Sequence, residues 1–339
     1  MTRASNTPTA ELSQVPFVDP SAPSLQLFVS ALSGRGRALR LAPQAAALLR
    51  ERGWEVEVVV THREDDPGQL AAASTHQRVG VFGGDGYIAH IASEVGKRGG
   101  IVIPLPGGRG NDLCRCLGIG TDALAHIGTL PQASEIVSPQ AGTIGRFRDV
   151  DAMRVAPLAH AGEAQNLDAQ GVLSSEASQV LGLVSFGLDA LANQIGNESP
   201  FSSGTLAYAW GAVCALAKFK PRTMEIEVDG QVRRIRGWLV SVSNSGWFGG
   251  GINIVPTSNP SDGKLELLTV DPVPKHQAIR VLARVLATRR VDDPIVHVET
   301  VSRVKILDSA GLIAMGDGDQ VAHGSVEISV QPGVFRVFA

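Results

Sequence analysis

Cysteine is scarce, with Cys114, Cys116 and Cys214 the only three in 339 residues. Two of them stand two positions apart in a helix-like stretch, where their side chains diverge, so neither a disulfide pair nor a cysteine zinc site is available to them. The chain is therefore expected in a reducing compartment, the cytoplasm, with a peripheral position at the inner membrane face still allowed. An excess of positive charge is missing too: the formal net charge is −3, which gives no global attraction to nucleic acid, and no nucleic-acid partner is expected. No apolar run reaches the roughly 20 residues that cross a bilayer; the nearest, around residues 207–219, ends in Lys218 and Lys220. A membrane, if met, is met transiently and from the side. A secretory signal is absent as well, since residues 1–24 hold Pro8, Pro16, Pro20 and Pro23 among Ser and Thr, the texture of a disordered leader. The eight histidines show no H-x-x-x-H spacing, no G-x-S-x-G elbow occurs, and no internal repeat is evident.

What is present is an ordinary globular mixture, 44% hydrophobic and 19% charged, in a chain long enough for two domains. Residues 25–149 alternate strand-like and helix-like segments: strands at 25–30, 54–61, 78–82 and 100–104, helices up to Arg50, at 69–75 and at 87–95. That order predicts a parallel sheet covered by helices on both faces. From about residue 150 the texture turns to β-like runs at 180–186, 224–228, 232–242, 265–270, 296–306, 326–330 and 334–338, with helices only at 205–219 and 275–287 and a polar loop at 159–178. A β-rich, mainly antiparallel sandwich over 150–339 is predicted, its last strands free to return toward the first domain.

The chemistry concentrates in glycine loops that follow the strands of the first domain. After the strand at 78–82 comes Gly83-Gly84-Asp85-Gly86. Glycines let the backbone approach an anion and turn its N–H groups toward it, and the next helix adds its positive N-terminus. Asp85 has the chemistry to hold Mg²⁺ or to accept a hydroxyl proton; a plain strand-to-helix turn is the competing reading. After the next strand comes Pro106-Gly107-Gly108-Arg109-Gly110-Asn111-Asp112-Leu113, where Arg109 brings a permanent cation for phosphate oxygens and Asn111 and Asp112 suit either a nucleotide or a helix cap. An earlier turn, Ser33-Gly34-Arg35-Gly36, lacks the Lys-Ser/Thr of a P-loop. Ligands of open α/β sheets bind at the carboxyl ends of the strands, where all three loops lie. Tyr208, Trp210, Phe219, Trp247 and Phe248 are core residues or, in part, the lining of a lipid entry path.

Taken together, the two later loops, followed by Leu117-Gly118-Ile119, resemble the catalytic domain of the diacylglycerol kinase and sphingosine kinase superfamily, whose members carry a GGDGT loop and a P-x-G-T-x-N-D segment. Ser30 to Gly36 resembles the family's first nucleotide loop. Downstream, Asn244, Gly249-Gly250-Gly251, Pro256, Asp262-Gly263-Lys264-Leu265 and Asp317-Gly318-Asp319 fall in the family's order. The resemblance implies an α/β nucleotide domain and a β-rich domain with the cleft between them. It implies ATP and Mg²⁺ as cofactors and a lipid with a free hydroxyl as acceptor, most simply diacylglycerol; a homodimer is allowed. Residue by residue, it implies nucleotide contacts from Ser33, Gly34, Gly83, Gly84, Gly86, Gly107, Gly108, Arg109, Gly110 and Asn111. It implies catalytic roles for Asp85, Asp317 and Asp319, and metal contacts from Asp85 and Asp262. This chain departs from the pattern at Ser30-Ala31 (Asn-Pro), Tyr87 (Thr), Ala89-His90 (Asn-Glu) and Arg109 (Thr). The alternatives are a catalytically silent nucleotide- or lipid-binding relative and a soluble kinase of the NAD-kinase type.

Overall fold

The computed structural model describes residues 22–137, 146–158, 165–167, 173–174, 177–201 and 204–339. The expected leader falls outside the described residues apart from its last three, and Ser24 already opens the first strand. The polar segment at 159–178 is described only in part; the pieces seen there are short strands.

The first domain runs β1 (Ser24–Ser30), α1 (Arg37–Glu51), β2 (Glu55–Thr61), α2 (Pro67–Ala73), β3 (Arg78–Gly83), α3 (Asp85–Lys97) and β4 (Ile101–Pro106). Three short helices follow, α4 (Asp112–Cys116), α5 (Ala123–Thr129) and α6 (Ala133–Val137). The four strands pair in parallel in the order β2-β1-β3-β4. β1 and β3 are buried along their whole length, as strands covered on both faces must be. One face packs on α1, whose Ala38, Ala42, Ala45 and Leu49 recur at helical spacing. The other packs on α3 through Ile88, Ile91, Ala92 and Val95.

The second domain begins with β5 (Phe147–Pro157), β6 (Gln165–Leu167), β7 (Leu173–Ser174), β8 (Ser178–Val180) and β9 (Leu183–Gly187), then α7 (Leu188–Asn197) and α8 (Gly204–Lys218). It continues through β10 (Arg222–Val228), β11 (Gln231–Gly237), β12 (Leu239–Ser243), β13 (Trp247–Phe248), β14 (Ile252–Asn253), β15 (Leu265–Val270) and α9 (Lys275–Thr288). It ends with β16 (Val296–Val301), β17 (Arg303–Asp308), β18 (Ile313–Gly316), β19 (Asp319–His323) and β20 (Val326–Phe338). An antiparallel sheet β16-β15-β12-β9-β18-β19-β6-β7 faces β11-β10-β17-β20 with β5 and β8. Met153, Phe186, Val242, Leu267, Ile306 and Ile328 fill the space between them. The predicted α/β domain and antiparallel sandwich are both present.

β20 joins the domains. Its first half pairs with β17, while Arg336 and Val337 pair in parallel with Ile101 and Val102 of β4, so one sheet runs through both. β5 lies antiparallel along β20, with a register shift between Gln331 and Phe335. Pro332-Gly333 sits in that shift, which is why the sequence reads as two strands and the chain forms one irregular strand.

Three other expected strands divide instead. The run 180–186 breaks between β8 and β9, the run 232–242 between β11 and β12, and the run 296–306 between β16 and β17; each time the chain passes from one sheet to the other. At Gly237 a Cβ would stand 2.4 Å from the carbonyl oxygen of Val270, so the crossing needs a residue without one. Apolar alternation continues through such a crossing because both halves face the same interior. The helix α7 was not expected at all.

Candidate active site

Three loops meet at the carboxyl edge of β1, β3 and β4, and the fit between them is set by glycine. A Cβ on Gly34 would lie 2.4 Å from the Gly107 carbonyl oxygen, and one on Gly108 would lie 2.6 Å from the Cα of Gly84. Gly84 N–H donates to Ser33 Oγ at 3.1 Å, and Gly107 N–H to the Gly83 carbonyl at 2.8 Å. Ser33, Gly34, Gly83, Gly84, Gly86, Gly107, Gly108, Arg109 and Gly110 are thus brought together as one wall, and most of them line a cleft of about 700 Å³ between the domains. Asn111 belongs to the wall differently. It is 3% exposed, adopts φ 58°, and its side-chain amide is used within the loop, accepting from Gly108 N–H at 2.8 Å and donating to the Gly108 carbonyl at 3.1 Å.

The carboxylates divide by what already holds them. Asp85 stands in the first turn of α3, but its oxygens serve α4: Oδ2 accepts the N–H of Asp112 and Oδ1 that of Leu113, both at 3.0 Å. Burial pushes its carboxyl above the ordinary range while those N–H bonds pull it down. Asp317, at φ 49°, accepts from Leu181 N–H at 2.7 Å and Gly182 N–H at 2.9 Å, and burial, with Asp85 nearby, raises it to about 6. Asp319 is different. It is exposed to the cleft, its Oδ2 lies 3.6 Å from where a Gly86 Cβ would be, and it accepts no hydrogen bond from a described residue. Partial burial raises its pKa. Of the three expected catalytic carboxylates, Asp319 alone is free to take a proton. Asp262 lies outside the cleft, on the surface, where Oδ1 accepts the N–H of Lys264 at 3.0 Å.

Asp112 was read as a helix cap or nucleotide contact and turns out to be a junction. Its Oδ2 accepts from Gly250 N–H at 2.9 Å, tying α4 to the Gly249-Gly250-Gly251 turn of the second domain, while Oδ1 is buried without a hydrogen bond and faces Arg115 Nε at 3.9 Å. Burial and then the Asp85 charge raise it to about 7. Among the described residues no three His, Cys, Asp or Glu side chains converge as a ready metal cage. Magnesium seldom needs one: one or two carboxylates hold it and substrate phosphates supply further oxygens. The Asp112 carboxyl, with one oxygen that accepts no hydrogen bond and with its ionisation opposed by burial and Asp85, fits a cation that arrives with phosphates.

Two departures from the family pattern have physical roles. The Tyr87 hydroxyl pairs with Thr61 Oγ1 at 2.8 Å, and its ring fills the space in which a Gly83 Cβ would sit 2.3 Å away. Arg109 turns toward the second domain, donating to Asn197 Oδ1 at 3.3 Å, and Asn197 donates to the Gly318 carbonyl at 2.6 Å. His90 lies away from the cleft, with Nε2 3.8 Å from Asp66 Oδ1.

The aromatic end of the cleft is walled by Ala207, Tyr208, Trp247 and Phe248, with Tyr208 and Phe248 edge to face at 5.1 Å. Phe219 is core, and Trp210 is on the outer surface. Beneath this end Asp189, 3% exposed, accepts from Tyr208 O–H at 2.7 Å. Asp189 and Asn197 were missed. Their helix follows a strand with only Gly187 between, and their partners lie far along the chain, so only the lone charge of Asp189 in an apolar run hinted at a site.

Residues 24–140 match the diacylglycerol kinase catalytic domain family, and residues 182–339 match the YegS C-terminal NAD kinase beta sandwich-like domain family. Proteins named diacylglycerol kinase from two Mycobacterium tuberculosis strains, CDC 1551 / Oshkosh and H37Rv, are each 26% identical over 314 residues, spanning 90% of this chain and 92% of theirs. A solved structure of a diacylglycerol kinase from Bacillus anthracis str. Sterne matches with a TM-score of 0.63 at 18% identity, over 93% of this chain and 96% of that one. A second solved structure from the same organism matches with a TM-score of 0.66 at 19% identity, over 93% and 97%.

Proposed function

This chain belongs to the diacylglycerol kinase and lipid kinase superfamily, and from that premise we propose that it transfers the γ-phosphoryl group of ATP to the hydroxyl of a diacylglycerol. The observation that carries this is one cleft with two kinds of lining: a wall of close-packed glycines at the start of α3 with the free carboxylate of Asp319 beside Gly86, and the aromatic side chains of Tyr208, Trp247 and Phe248. Phosphates suit the first lining and an acyl-bearing acceptor the second.

In this reading the glycine loops hold the phosphates and fix the line of attack, which supplies much of the acceleration in phosphoryl transfer. Asp319 accepts the acceptor's hydroxyl proton as the new oxygen–phosphorus bond forms and the bond to the bridging oxygen of ADP breaks. Its raised pKa makes it a better base than an ordinary carboxylate. Mg²⁺, held by Asp112 with the phosphates, would neutralise charge on the nucleotide. Asp85 and Asp317 act by position, each fastening a segment of cleft wall through two backbone N–H groups.

The test is transfer of labelled γ-phosphate from ATP to a short-chain diacylglycerol, with a sphingoid base and NAD as competing acceptors. Phosphorylated diacylglycerol alone supports the reading, and phosphorylated NAD with no lipid product overturns it. One observation favours a silent nucleotide-binding relative: the Arg109 side chain is engaged by Asn197 instead of facing the phosphate end. ATP binding without turnover on any hydroxyl acceptor would select that alternative.

A further inference from the structure

We infer that the outer face of α8, with the neighbouring α9, docks this protein on an anionic bilayer surface. The inference rests on the lipid-acceptor reading for its purpose, but not for its evidence. Along α8, Leu206, Trp210 and Val213 are 57%, 50% and 56% exposed, and their spacing places them on one stripe. Phe201 extends it, 37% exposed with its ring edge-on to Trp210 at 6.3 Å. The helix has no need of that stripe for folding. Its opposite side packs on α7 so closely that a Cβ on Gly211 would stand 2.0 Å from the Ala192 carbonyl oxygen, with Ala212, Ala215 and Leu216 buried. A run of large apolar side chains left in water on one helix marks an interaction surface.

Charge selects the occupant. The whole chain is net negative at −3, yet no aspartate or glutamate occurs from Phe201 to Lys220 or from Lys275 to Arg290. α9 lies antiparallel beside α8: Lys275 Nζ donates to the Ala217 carbonyl at 2.6 Å at one end, and Arg289 Nη1 to Thr205 Oγ1 at 3.1 Å at the other. The pair therefore presents exposed Lys218, Lys220 and Lys275 at the end of the apolar stripe past Val213, with exposed Arg280 further along α9. Apolar side chains bordered by cations are what an interfacial helix offers an anionic membrane, at about fivefold in binding per cation. No helix among the described residues is long and apolar enough to cross a membrane, so contact is lateral. The same helix divides the stripe from the cleft, since its Gly204, Ala207 and Tyr208, on another face, line the cleft. A lipid leaving the bilayer beside α8 has only the width of one helix to travel.

The experiment uses the full chain with phosphatidylcholine vesicles, with and without phosphatidylglycerol, and two double variants, W210E/V213E and K220E/R280E. Co-sedimentation with anionic vesicles, a blue shift of tryptophan emission that W210F removes, and at least about a tenfold loss of binding in both variants are expected. Circular dichroism and thermal midpoints check that the variants remain folded, and turnover on a monomeric short-chain diacylglycerol should be unchanged. Wild-type protein that ignores anionic vesicles, or variants that bind as well, overturn the inference. A concentration-dependent dimer that W210E/V213E disrupts, with no vesicle binding, assigns the face to a second copy instead. Vesicle binding in a protein that phosphorylates no soluble diacylglycerol would leave the docking surface standing and sink the kinase reading.

Discussion

Asp85 and Asp112 are joined by a hydrogen bond and opposed by charge. The N–H of Asp112 donates to Asp85 Oδ2 at 3.0 Å, while the Asp85 carboxylate helps to raise the Asp112 carboxyl to about 7. The bond holds α4 against α3 and thereby fixes the 107–111 loop. The repulsion, with burial, opposes ionisation of the Asp112 carboxyl.

Asp85→Asn should therefore do two things. The amide presents an NH₂ to one of two N–H donors that now meet oxygens, costing about 1–2 kcal/mol of stability, and the loosened loop should weaken ATP binding as well as turnover. Thermal melts and nucleotide titrations of the variant check this. A variant with wild-type midpoint and ATP affinity but no turnover would instead give Asp85 a direct chemical role.

The two acidic residues of the 317–319 turn should separate. Asp319→Asn should lower kcat by about 10²–10⁴ with ATP affinity kept, because a positioned base acts in the transition state. Asp317→Asn should chiefly lower stability, since its carboxylate fastens Leu181 and Gly182. Equal effects of both variants on kcat alone would defeat this division.

What the sequence made legible follows from how local each feature is. The glycine wall was readable because its need is for glycine itself, as at Gly34, Gly84 and Gly108, where a Cβ would strike a neighbouring loop or sit against one. The sheet of the first domain was readable for a similar reason, each buried strand being one short apolar run. The sheet crossings near Leu181, Trp238 and Ser302 were not, because alternation persists across them. Roles that depend on where a side chain turns were hidden too. Asn111 and Arg109 sit in the expected loop, yet the first bonds the backbone of Gly108 in that loop and the second reaches a helix 88 positions away.

That reach motivates a third prediction. Arg109, Asn197 and the Gly318 carbonyl form a chain from the 107–111 loop to the turn bearing Asp319. Asn197→Ala removes the middle link, so it should lower kcat, by roughly tenfold if the base shifts by about an ångström, while Arg109, released, turns to the phosphates and preserves or improves the KM for ATP. Steady-state kinetics with ATP and lipid varied separately would show the split. A raised KM for ATP with kcat intact would mean that the link positions the nucleotide and not the base.

The last prediction concerns pH, with nucleotide and metal absent. The Asp112 carboxyl rises to about 7 and that of Asp317 to about 6, both above the ordinary value of 3.8. A raised pKa means the folded state binds protons more tightly than the unfolded chain, so the stability these groups contribute is fully present below about pH 4 and lost as pH rises through 6 to 7. His126 works the other way: burial, with Arg146 nearby, lowers it to about 4 from 6.5, so its contribution is present above 6.5 and lost as pH falls. The two trends overlap between pH 4 and 7, and the raw stability profile of the wild type cannot separate them. The difference between wild type and Asp112→Asn can, because His126 is common to both. Asn at position 112 does not ionise, so the variant should gain stability relative to wild type as pH climbs from 5 to 8, and added Mg²⁺ with nucleotide should shrink the gap by supplying the charge that the cleft lacks. Thermal midpoints of the two proteins across that range are the measurement. A difference that stays flat with pH would mean that Asp112 does not carry the electrostatic strain assigned to it.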